Sequence, residues 1–325
     1  MTAVTYGDAI RLGFEYLLDN HSDVFVIGQG LWSPWYVGNS MTDLDKKYGV
    51  ERIIDTPVSE SACTGAAVGA SLSGMKPVIV HPRMDFMLLA IDPIVNQAAK
   101  WSHMVGGQDN SSVTIRSIIN RGGQQGAQHS QALHSWFAHI PGLRVVMPST
   151  VQDARDLLIA SVLSPDPVLY IDDRWLYSLE DTLGEPSLIP LHQQIPQVVS
   201  EGSDITIVGI GHTVKLSLHA KNLLLPSNIN PEIVDLRVLN PLNPAPIIES
   251  VCKTGRLLVV DGGWRTCGIA GELISCVVES VDLKSMHTNP IRITLPDCPA
   301  PCSGPLEDIY YFDADDIANA AISMF

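Results

Sequence analysis

Hydrophobic and polar positions follow two recurring patterns along the chain. Ile10, Phe14, Leu17 and Leu18 have helical spacing, and Thr5 can cap the start of that helix. A short apolar run at 23–28 then predicts a buried strand. Longer helical or small-residue segments separate most of the further β-branched runs, which lie at 52–55, 77–80, 113–119, 144–147 and 168–171. This alternation is typical of a parallel sheet that is covered by helices on both faces.

A proline-containing stretch at 173–203 interrupts the alternation, which then resumes. Because scattered prolines and polar residues are typical of interdomain connections, we expect a linker there. Beyond it, strands are predicted at 205–210, 232–235, 256–260 and 290–294, and helices near 214–225, 247–253, 268–280 and 314–324. The pattern therefore predicts an α/β fold with two parallel-sheet domains, at 1–180 and 204–325, joined by a linker at 181–203.

Composition and charge exclude several classes of protein. The chain has 325 residues, of which 46% are hydrophobic, and this apolar content is too high for a disordered chain. The net charge is −15, and no basic cluster is longer than Lys46-Lys47, so we expect neither nucleic-acid binding nor attachment to an acidic membrane surface. We also expect no membrane span, and the start of the chain lacks a signal-peptide pattern. The protein is therefore expected to be cytoplasmic, with its six cysteines as free thiols.

The first stretch with candidate chemistry surrounds Glu60. A strand ends, Pro57 turns the chain, and Glu60 stands at the mouth of a helix made almost wholly of small residues. Two of these are glycines, each of which costs roughly 1 kcal/mol in a helix, so another helix, another chain or a ligand is expected to approach this backbone closely. The carboxylate itself is either functional or a solvated first-turn group that complements the helix dipole.

Two later stretches are also candidates. His129 lies in a polar, glycine-bearing loop and can give or take protons, although a purely structural role is equally open. The run 258–264 enters a glycine-rich turn before a helix. It does not match a dinucleotide or nucleotide phosphate loop, so a tight packing turn is the better interpretation.

Taken together, these motifs resemble one family: the β chain of the thiamine diphosphate-dependent decarboxylating component of 2-oxo acid dehydrogenase complexes, which belongs to the transketolase superfamily. The resemblance covers nearly the whole chain and depends on the order and spacing of its motifs. They include Arg52-Ile-Ile-Asp-Thr-Pro-Val-Ser-Glu60, Gln128-His-Ser-Gln131, Pro141-Gly-Leu-Arg-Val-Val-Met-Pro-Ser149, Asp261-Gly-Gly-Trp264 and Arg292-Ile-Thr-Leu-Pro-Asp297.

The resemblance implies a fold, a cofactor and partners. It implies a pyrimidine-binding transketolase-like domain followed by a transketolase C-terminal domain. The cofactor would be thiamine diphosphate, shared with an α chain in a heterotetramer. That α chain would carry the motif for Mg²⁺ and the diphosphate, which this sequence lacks, so no metal ligand is assigned here. A lipoyl-bearing acyltransferase would be a further partner.

The resemblance also implies roles for three residues. Glu60 matches the glutamate whose carboxyl group activates the cofactor aminopyrimidine, and a dry pocket that raises its pKa would help it to share a proton with the ring. His129 matches a histidine near the entrance that supports acyl transfer to a lipoyl group. Phe86 matches an aromatic position that lines the aminopyrimidine pocket, although plain core packing is an equal alternative.

Departures from the family pattern leave alternatives for the reaction. Gly28-Gln29-Gly30 stands where the family commonly has an acidic pair that connects two active sites. Arg116-Ser-Ile-Ile-Asn120 lacks the proline and glycine usual ahead of the histidine loop, a segment expected to border the substrate. The main hypothesis is a 2-oxo acid dehydrogenase subunit. A split transketolase-type or acyloin-forming enzyme and a catalytically silent scaffold chain are the alternatives.

Overall fold

The computed structural model describes residues 3–325, which divide into two compact units. The first unit runs through Asn120 and continues with Trp136–Gln194, whereas the second comprises Arg121–Ser135 and Ile195–Phe325. The domain limits expected from the sequence stay a prediction. The grouping of Arg121–Ser135 with the second unit is a feature that no pattern in the sequence indicated.

The first unit is built on parallel strands whose positions follow the buried runs of the sequence. Each predicted run forms a strand within two residues of its expected limits, because a strand that is covered on both faces is apolar throughout. The strands are β1 (Ala3–Thr5), β2 (Val24–Gln29), β3 (Tyr36–Asn39), β4 (Ile53–Thr56), β5 (Lys76–His81), β6 (Thr114–Ile119), β7 (Arg144–Val146), β8 (Val168–Asp173) and β9 (Glu180–Thr182). Six of them pair in parallel in the order β7-β8-β6-β5-β2-β4, while β1 pairs with β9 in antiparallel orientation.

Helices cover this sheet, and the first of them begins as the sequence predicts. The Thr5 hydroxyl accepts a hydrogen bond from the backbone N–H of Asp8 at 3.1 Å, which caps the helix, and the predicted apolar face is buried. The helices of the first unit are α1 (Tyr6–Asn20), α2 (Leu44–Tyr48), α3 (Glu60–Ser71), α4 (Met84–Met87), α5 (Ala99–Met104) and α7 (Val151–Val162), with a π-helical stretch at Asp92–Ala98. The short helix α6 (His134–Ala138) has its first two residues in the second unit and the others in the first. Within residues 3–325, no helix has both the length and the apolar character needed to cross a membrane.

Arg116 is completely buried in the central strand β6. The expectation that the segment Arg116–Asn120 borders the substrate stays a prediction. Its Nη2 atom donates to Asp172 Oδ2 at 2.9 Å, to the Ser40 hydroxyl at 2.8 Å and to the Tyr177 hydroxyl at 2.8 Å. Burial alone would lower the pKa of Arg116, but the Asp172 carboxylate outweighs it and the pKa is raised. Arg116 therefore holds strands together rather than contacting a ligand.

The second unit is a smaller α/β layer with one antiparallel edge. Its strands are β10 (Gln197–Ser200), β11 (Ile205–Gly209), β12 (Pro231–Asp235), β13 (Val238–Asn240), β14 (Leu257–Trp264) and β15 (Ile291–Leu295). A five-stranded sheet has the order β10-β12-β11-β14-β15, in which only β10 is antiparallel to its neighbour. Its helices are α8 (His212–Leu224), α9 (Ala245–Thr254), α10 (Ile269–Ser280), α11 (Gly304–Tyr310) and α12 (Ala314–Ile322). The stretch expected as a linker thus contributes β10 to this sheet.

Candidate functional site

Glu60 is the first residue of α3, and it lies where parallel strands end. β4 stops at Thr56, Pro57 turns the chain, and α3 begins three residues later. Because β4, β2 and β5 are parallel neighbours, their carboxyl ends meet at the same edge of the sheet. The Glu60 side chain is half-buried at this edge. The position at the mouth of a small-residue helix that the sequence predicted is confirmed.

A shallow pocket, with room for about one water molecule, opens beside Glu60. Strand ends supply most of its wall, and α3 and the connecting turns supply the rest. The lining residues are Gly28, Gln29, Thr56, Pro57, Ser59, Glu60, Cys63, Ile79, Val80, His81 and Pro82. They include one carboxyl group, several hydroxyl and backbone groups, and no lysine or arginine. This donor set suits a neutral nitrogen heterocycle better than an anionic group.

His81 contributes a buried imidazole to the wall of this pocket, and sequence reasoning missed it. Its Nε2 atom forms a hydrogen bond with the Thr64 hydroxyl at 3.2 Å. Burial lowers the pKa of His81 to about 4, so the ring is neutral at physiological pH. The only signal for it in the sequence is a histidine that closes the apolar run of β5. The pocket therefore pairs an uncharged imidazole with the carboxyl group of Glu60.

Asp55 organises the unusual loop that begins at Gly28-Gln29-Gly30. Its carboxylate accepts hydrogen bonds from the backbone N–H of Gly30 at 2.6 Å and of Trp32 at 3.3 Å. Gly30 has a φ of +72°, a conformation that favours glycine, and a Cβ there would lie 2.0 Å from the Tyr36 ring. The family's acidic pair is thus absent from the loop. Asp55, on the neighbouring strand β4, instead holds the loop through hydrogen bonds to its backbone.

The outer face of α3 is open within this chain. A Cβ added at Gly65 or at Gly69 would meet no atom within 4 Å. Ser61, Ala62 and Ala66 are also exposed, so they form with the two glycines a flat surface that we call the small-residue face. A Cβ at either glycine is therefore compatible with the contacts inside this chain.

Phe86 lies apart from the pocket lining. It belongs to the short helix α4 and is 38% exposed, so it is not a core residue. The helical stretch that follows α4 packs against α3. Phe86 therefore belongs to the same region of the first unit as Glu60, but no wall of the pocket includes its side chain.

His129 belongs to the second unit, on the segment Arg121–Ser135. Its ring is half-buried, and its backbone N–H donates to Gly126 O at 3.3 Å. Arg121 Nη1 donates to Gly262 O at 2.9 Å, and the Gln124 N–H donates to the Glu307 carboxylate at 2.9 and 3.2 Å. The His129 loop is therefore anchored to the second unit at several points.

The run 258–264 serves this anchoring rather than a phosphate. Gly262 and Gly263 continue strand β14. A Cβ at Gly262 would lie 2.6 Å from Arg121 Nη1, and one at Gly263 would lie 3.0 Å from His134 Cε1. A side chain at Gly262 would displace the Arg121 guanidinium, and one at Gly263 would press on the His134 ring, because the segment Arg121–Ser135 lies close to this backbone.

The residues around Glu60 fit the aminopyrimidine half of thiamine diphosphate. A half-buried carboxyl group beside a pocket without cationic side chains can share a proton with a neutral ring nitrogen. Over the described range 3–325, no group of three or more histidine, cysteine, aspartate and glutamate side chains is arranged to hold a metal ion. All six cysteines are free thiols, as expected.

Comparison with protein families and solved structures agrees with this geometry. Residues 2–178 match the pyrimidine-binding domain of transketolase, and residues 196–317 match the transketolase C-terminal domain. A solved structure described as a split-gene transketolase, an inactive beta4 tetramer, covers 99% of this chain and 98% of its own with a TM-score of 0.78. At 19% identity this likeness shows the fold alone.

Curated relatives are similar over most of the sequence. The chain is 42% identical over 276 residues to the acetoin:2,6-dichlorophenolindophenol oxidoreductase subunit beta of Cupriavidus necator, covering 85% of this chain and 80% of the relative. It is 34% identical to the mitochondrial pyruvate dehydrogenase E1 component subunit beta-1 of Arabidopsis thaliana, covering 98% and 88%, and 34% identical to the Rickettsia bellii pyruvate dehydrogenase E1 component subunit beta, covering 98% and 97%. The chain belongs to the β subunits of the thiamine diphosphate-dependent component of 2-oxo acid dehydrogenases.

Proposed function

We propose that this chain supplies the aminopyrimidine-activating half of a thiamine diphosphate site that decarboxylates a 2-oxo acid and passes the acyl group to a lipoyl arm. The observation that carries the proposal is the placement of Glu60 at the first turn of α3, at the carboxyl edge of the β4-β2-β5 strands and beside a pocket without cations. When bound, the cofactor supplies the carbon nucleophile and the electron sink for the loss of carbon dioxide.

Glu60 acts as the proton-sharing group in this proposal. Its carboxyl group would donate a hydrogen bond to a ring nitrogen of the aminopyrimidine and would take part of that proton back as the reaction proceeds. The neutral His81 ring adds no positive charge that would hold Glu60 ionised. Phe86 remains a candidate for lining the aminopyrimidine, since it is exposed at the end of α4 in the same unit.

His129 acts as the proton donor in the acyl transfer. Opening of the lipoyl disulfide leaves a thiolate that needs a proton, and an imidazole is a side chain that can donate one. His129 is half-buried on an anchored polar segment, so part of the residue is accessible for proton exchange.

We infer that a separate α chain completes each site. In this proposal the α chain holds Mg²⁺ and the diphosphate, and two copies of each chain form a heterotetramer. The open small-residue face of α3 supports a contact with another chain. The cytoplasmic location expected from the sequence also stays a prediction, since several relatives are named as mitochondrial.

The test is to purify this chain with its α partner and to supply thiamine diphosphate and Mg²⁺. Pyruvate and longer 2-oxo acids are then compared with acetoin and with a ketose phosphate. We expect carbon dioxide release from a 2-oxo acid with an artificial electron acceptor, followed by acylation of a lipoyl domain. The Glu60→Gln complex is the matched inactive control.

Other outcomes of this screen would contradict the proposal. Cleavage of acetoin without decarboxylation of any 2-oxo acid would indicate an enzyme that acts on acetoin, the compound in the name of the relative from Cupriavidus necator. Ketol transfer from the ketose phosphate would indicate a split transketolase. Activity that survives Glu60→Gln would indicate a scaffold role for this chain.

A further inference from the structure

A buried polar cluster lies in the second unit, and no motif assigned it a role. His134 is 1% exposed and Asp261 is completely buried. His134 Nε2 donates to Asp261 Oδ1 at 2.9 Å, and the backbone N–H of Gly263 donates to the same oxygen at 2.8 Å. The two residues are 127 positions apart in sequence, so this pair joins distant parts of the chain.

Asp261 is ionised in this environment. Burial alone would raise the pKa of its carboxyl group. The electrostatic interaction and hydrogen bond with His134, the Gly263 N–H and the charge of Arg121 outweigh burial, so the pKa of Asp261 is lowered. A buried carboxylate of this kind forms strong charge-assisted hydrogen bonds, which fix the geometry of its partners.

His134 and Arg121, which both interact with Asp261, lie at the two ends of the segment that carries His129. His134 lies near the end of the segment Arg121–Ser135, and Arg121 at its start donates to Gly262 O at 2.9 Å. Next to His134, the Ser135 hydroxyl accepts from the Ile269 backbone N–H at 3.0 Å. Both ends of the segment are therefore hydrogen-bonded to residues at one end of β14. We call the stretch Asp261-Gly262-Gly263 the β14 seat.

We propose that the β14 seat positions His129 for acyl transfer, and that His134 is the positioning residue that locks the segment Arg121–Ser135 onto it. His134 acts through His129 and does not itself touch the substrate. The inference rests on the proposed function of His129. A buried carboxylate–imidazole pair suits this task because it is directional and because neither partner can turn to solvent when the loop moves.

The first measurement tests the seat without reference to activity. In the full chain assembled with its α partner, His134→Leu removes the donor, and amide hydrogen exchange is followed by mass spectrometry. We expect exchange in residues 121–135 to become about tenfold faster, because the segment loses its lock, while the rest of the second unit is unchanged. His134→Gln keeps an amide donor and is expected to restore protection. Unchanged exchange in the leucine variant would overturn the proposal.

The matched control removes a different buried carboxylate of the same unit. Glu232 is 2% exposed and pairs with Lys253, away from the segment. Glu232→Gln is expected to leave exchange in residues 121–135 as it is in the wild-type protein. Faster exchange there in this control would mean that general loosening of the unit, rather than the seat, governs the segment.

The second measurement tests the link to His129 with a double-mutant cycle. We expect His134→Leu to slow acyl transfer to a lipoyl domain about tenfold in the wild-type background, and by less than about twofold once His129 is alanine. An undiminished loss in the His129→Ala background would overturn action through His129. A His129→Ala enzyme with wild-type acyl transfer would instead contradict the proposed function, and the exchange measurement would still decide whether the seat exists.

Discussion

At the scale of single residues, the proposed function makes cofactor activation depend on the carboxyl group of Glu60. Glu60→Gln keeps the size and the hydrogen-bonding outline but cannot share a proton with a ring nitrogen. We expect turnover to fall by on the order of 10²-fold or more, with folding and assembly nearly intact. Steady-state kinetics with an artificial electron acceptor measure this. Glu249→Gln, an exposed carboxylate on α9, is the control. Near-normal turnover of the Glu60 variant would refute the role.

His129 is expected to matter in the later half of the reaction. His129→Ala should slow acylation of a lipoyl domain more than it slows decarboxylation with an artificial acceptor, because only the lipoyl step needs a proton donor near the entrance. The two rates are compared in the same enzyme preparation. Equal losses in both assays would instead place His129 in the first step or give it a purely structural role in the loop.

His81 predicts a dependence of stability on pH. Its folded pKa of about 4 lies below the ordinary value of about 6.5, so the unfolded chain binds the extra proton as the pH falls. The stability is therefore fully present above pH 6.5 and is lost between pH 6.5 and pH 4, by about 2 kcal/mol at pH 5. His81→Gln removes this titration and can still bond Thr64. Thermal melts at pH 7 and pH 5 should show a larger drop for the wild-type protein than for the variant, and parallel drops would contradict the prediction.

The sequence identified those residues that a local pattern marks. Glu60 follows a strand and a proline and precedes a run of small residues, so its position at a helix mouth was readable. His134 and Asp261 carry no such mark, because each becomes informative only through a contact with a residue 127 positions away. The pocket role of His81 depends on which strand ends meet, which is a property of the sheet order rather than of the strand.

At the scale of secondary-structure elements, the small-residue face of α3 is the feature without a partner in this chain. A Cβ at Gly65 meets no atom within 4 Å, and leucine is a better helix former than glycine, so Gly65→Leu should leave the free energy of unfolding of the isolated chain unchanged or raise it slightly. Association with another chain should weaken by about 1–3 kcal/mol because the added side chain overpacks the contact. Size-exclusion chromatography with the α partner measures the effect, and Gly65→Ala is the graded control. An unchanged elution profile for the leucine variant would count against a packed interface.

Element positions were predictable wherever burial made a continuous signal. Strands β2, β4, β5, β6 and β8 are apolar runs, and the sequence placed each within two residues. The sequence did not predict the short strand β3 or the helix α2, because both are brief and half-exposed and show no hydrophobic periodicity. The π-helical stretch Asp92–Ala98 was also not predicted, since nothing in its composition distinguishes it from an ordinary helix.

At the scale of the whole molecule, the path of the chain between the two units decides which unit contains His129. Residues 121–135 leave the first unit and belong to the second before the chain returns at Trp136. A pattern of strands and helices cannot reveal this, because it depends on buried polar contacts such as Arg121 with Gly262 and Gln124 with Glu307. The family resemblance indicated the right fold and cofactor, but not this division of the chain.

Cofactor binding gives the last prediction, since the proposed site is only half present in one chain. The pocket beside Glu60 is lined by a carboxyl group and no cationic side chain, and the chain carries a net charge of −15. Both features repel a diphosphate. We expect the chain alone to show no measurable heat of thiamine diphosphate binding in titration calorimetry, even with Mg²⁺. The complex with the α partner should bind it, and EDTA should abolish that binding, because Mg²⁺ bridges carboxylates and phosphate oxygens. Tight, Mg²⁺-dependent binding by this chain alone would mean that it holds the diphosphate itself, and the proposed division of the site between two chains would then be wrong.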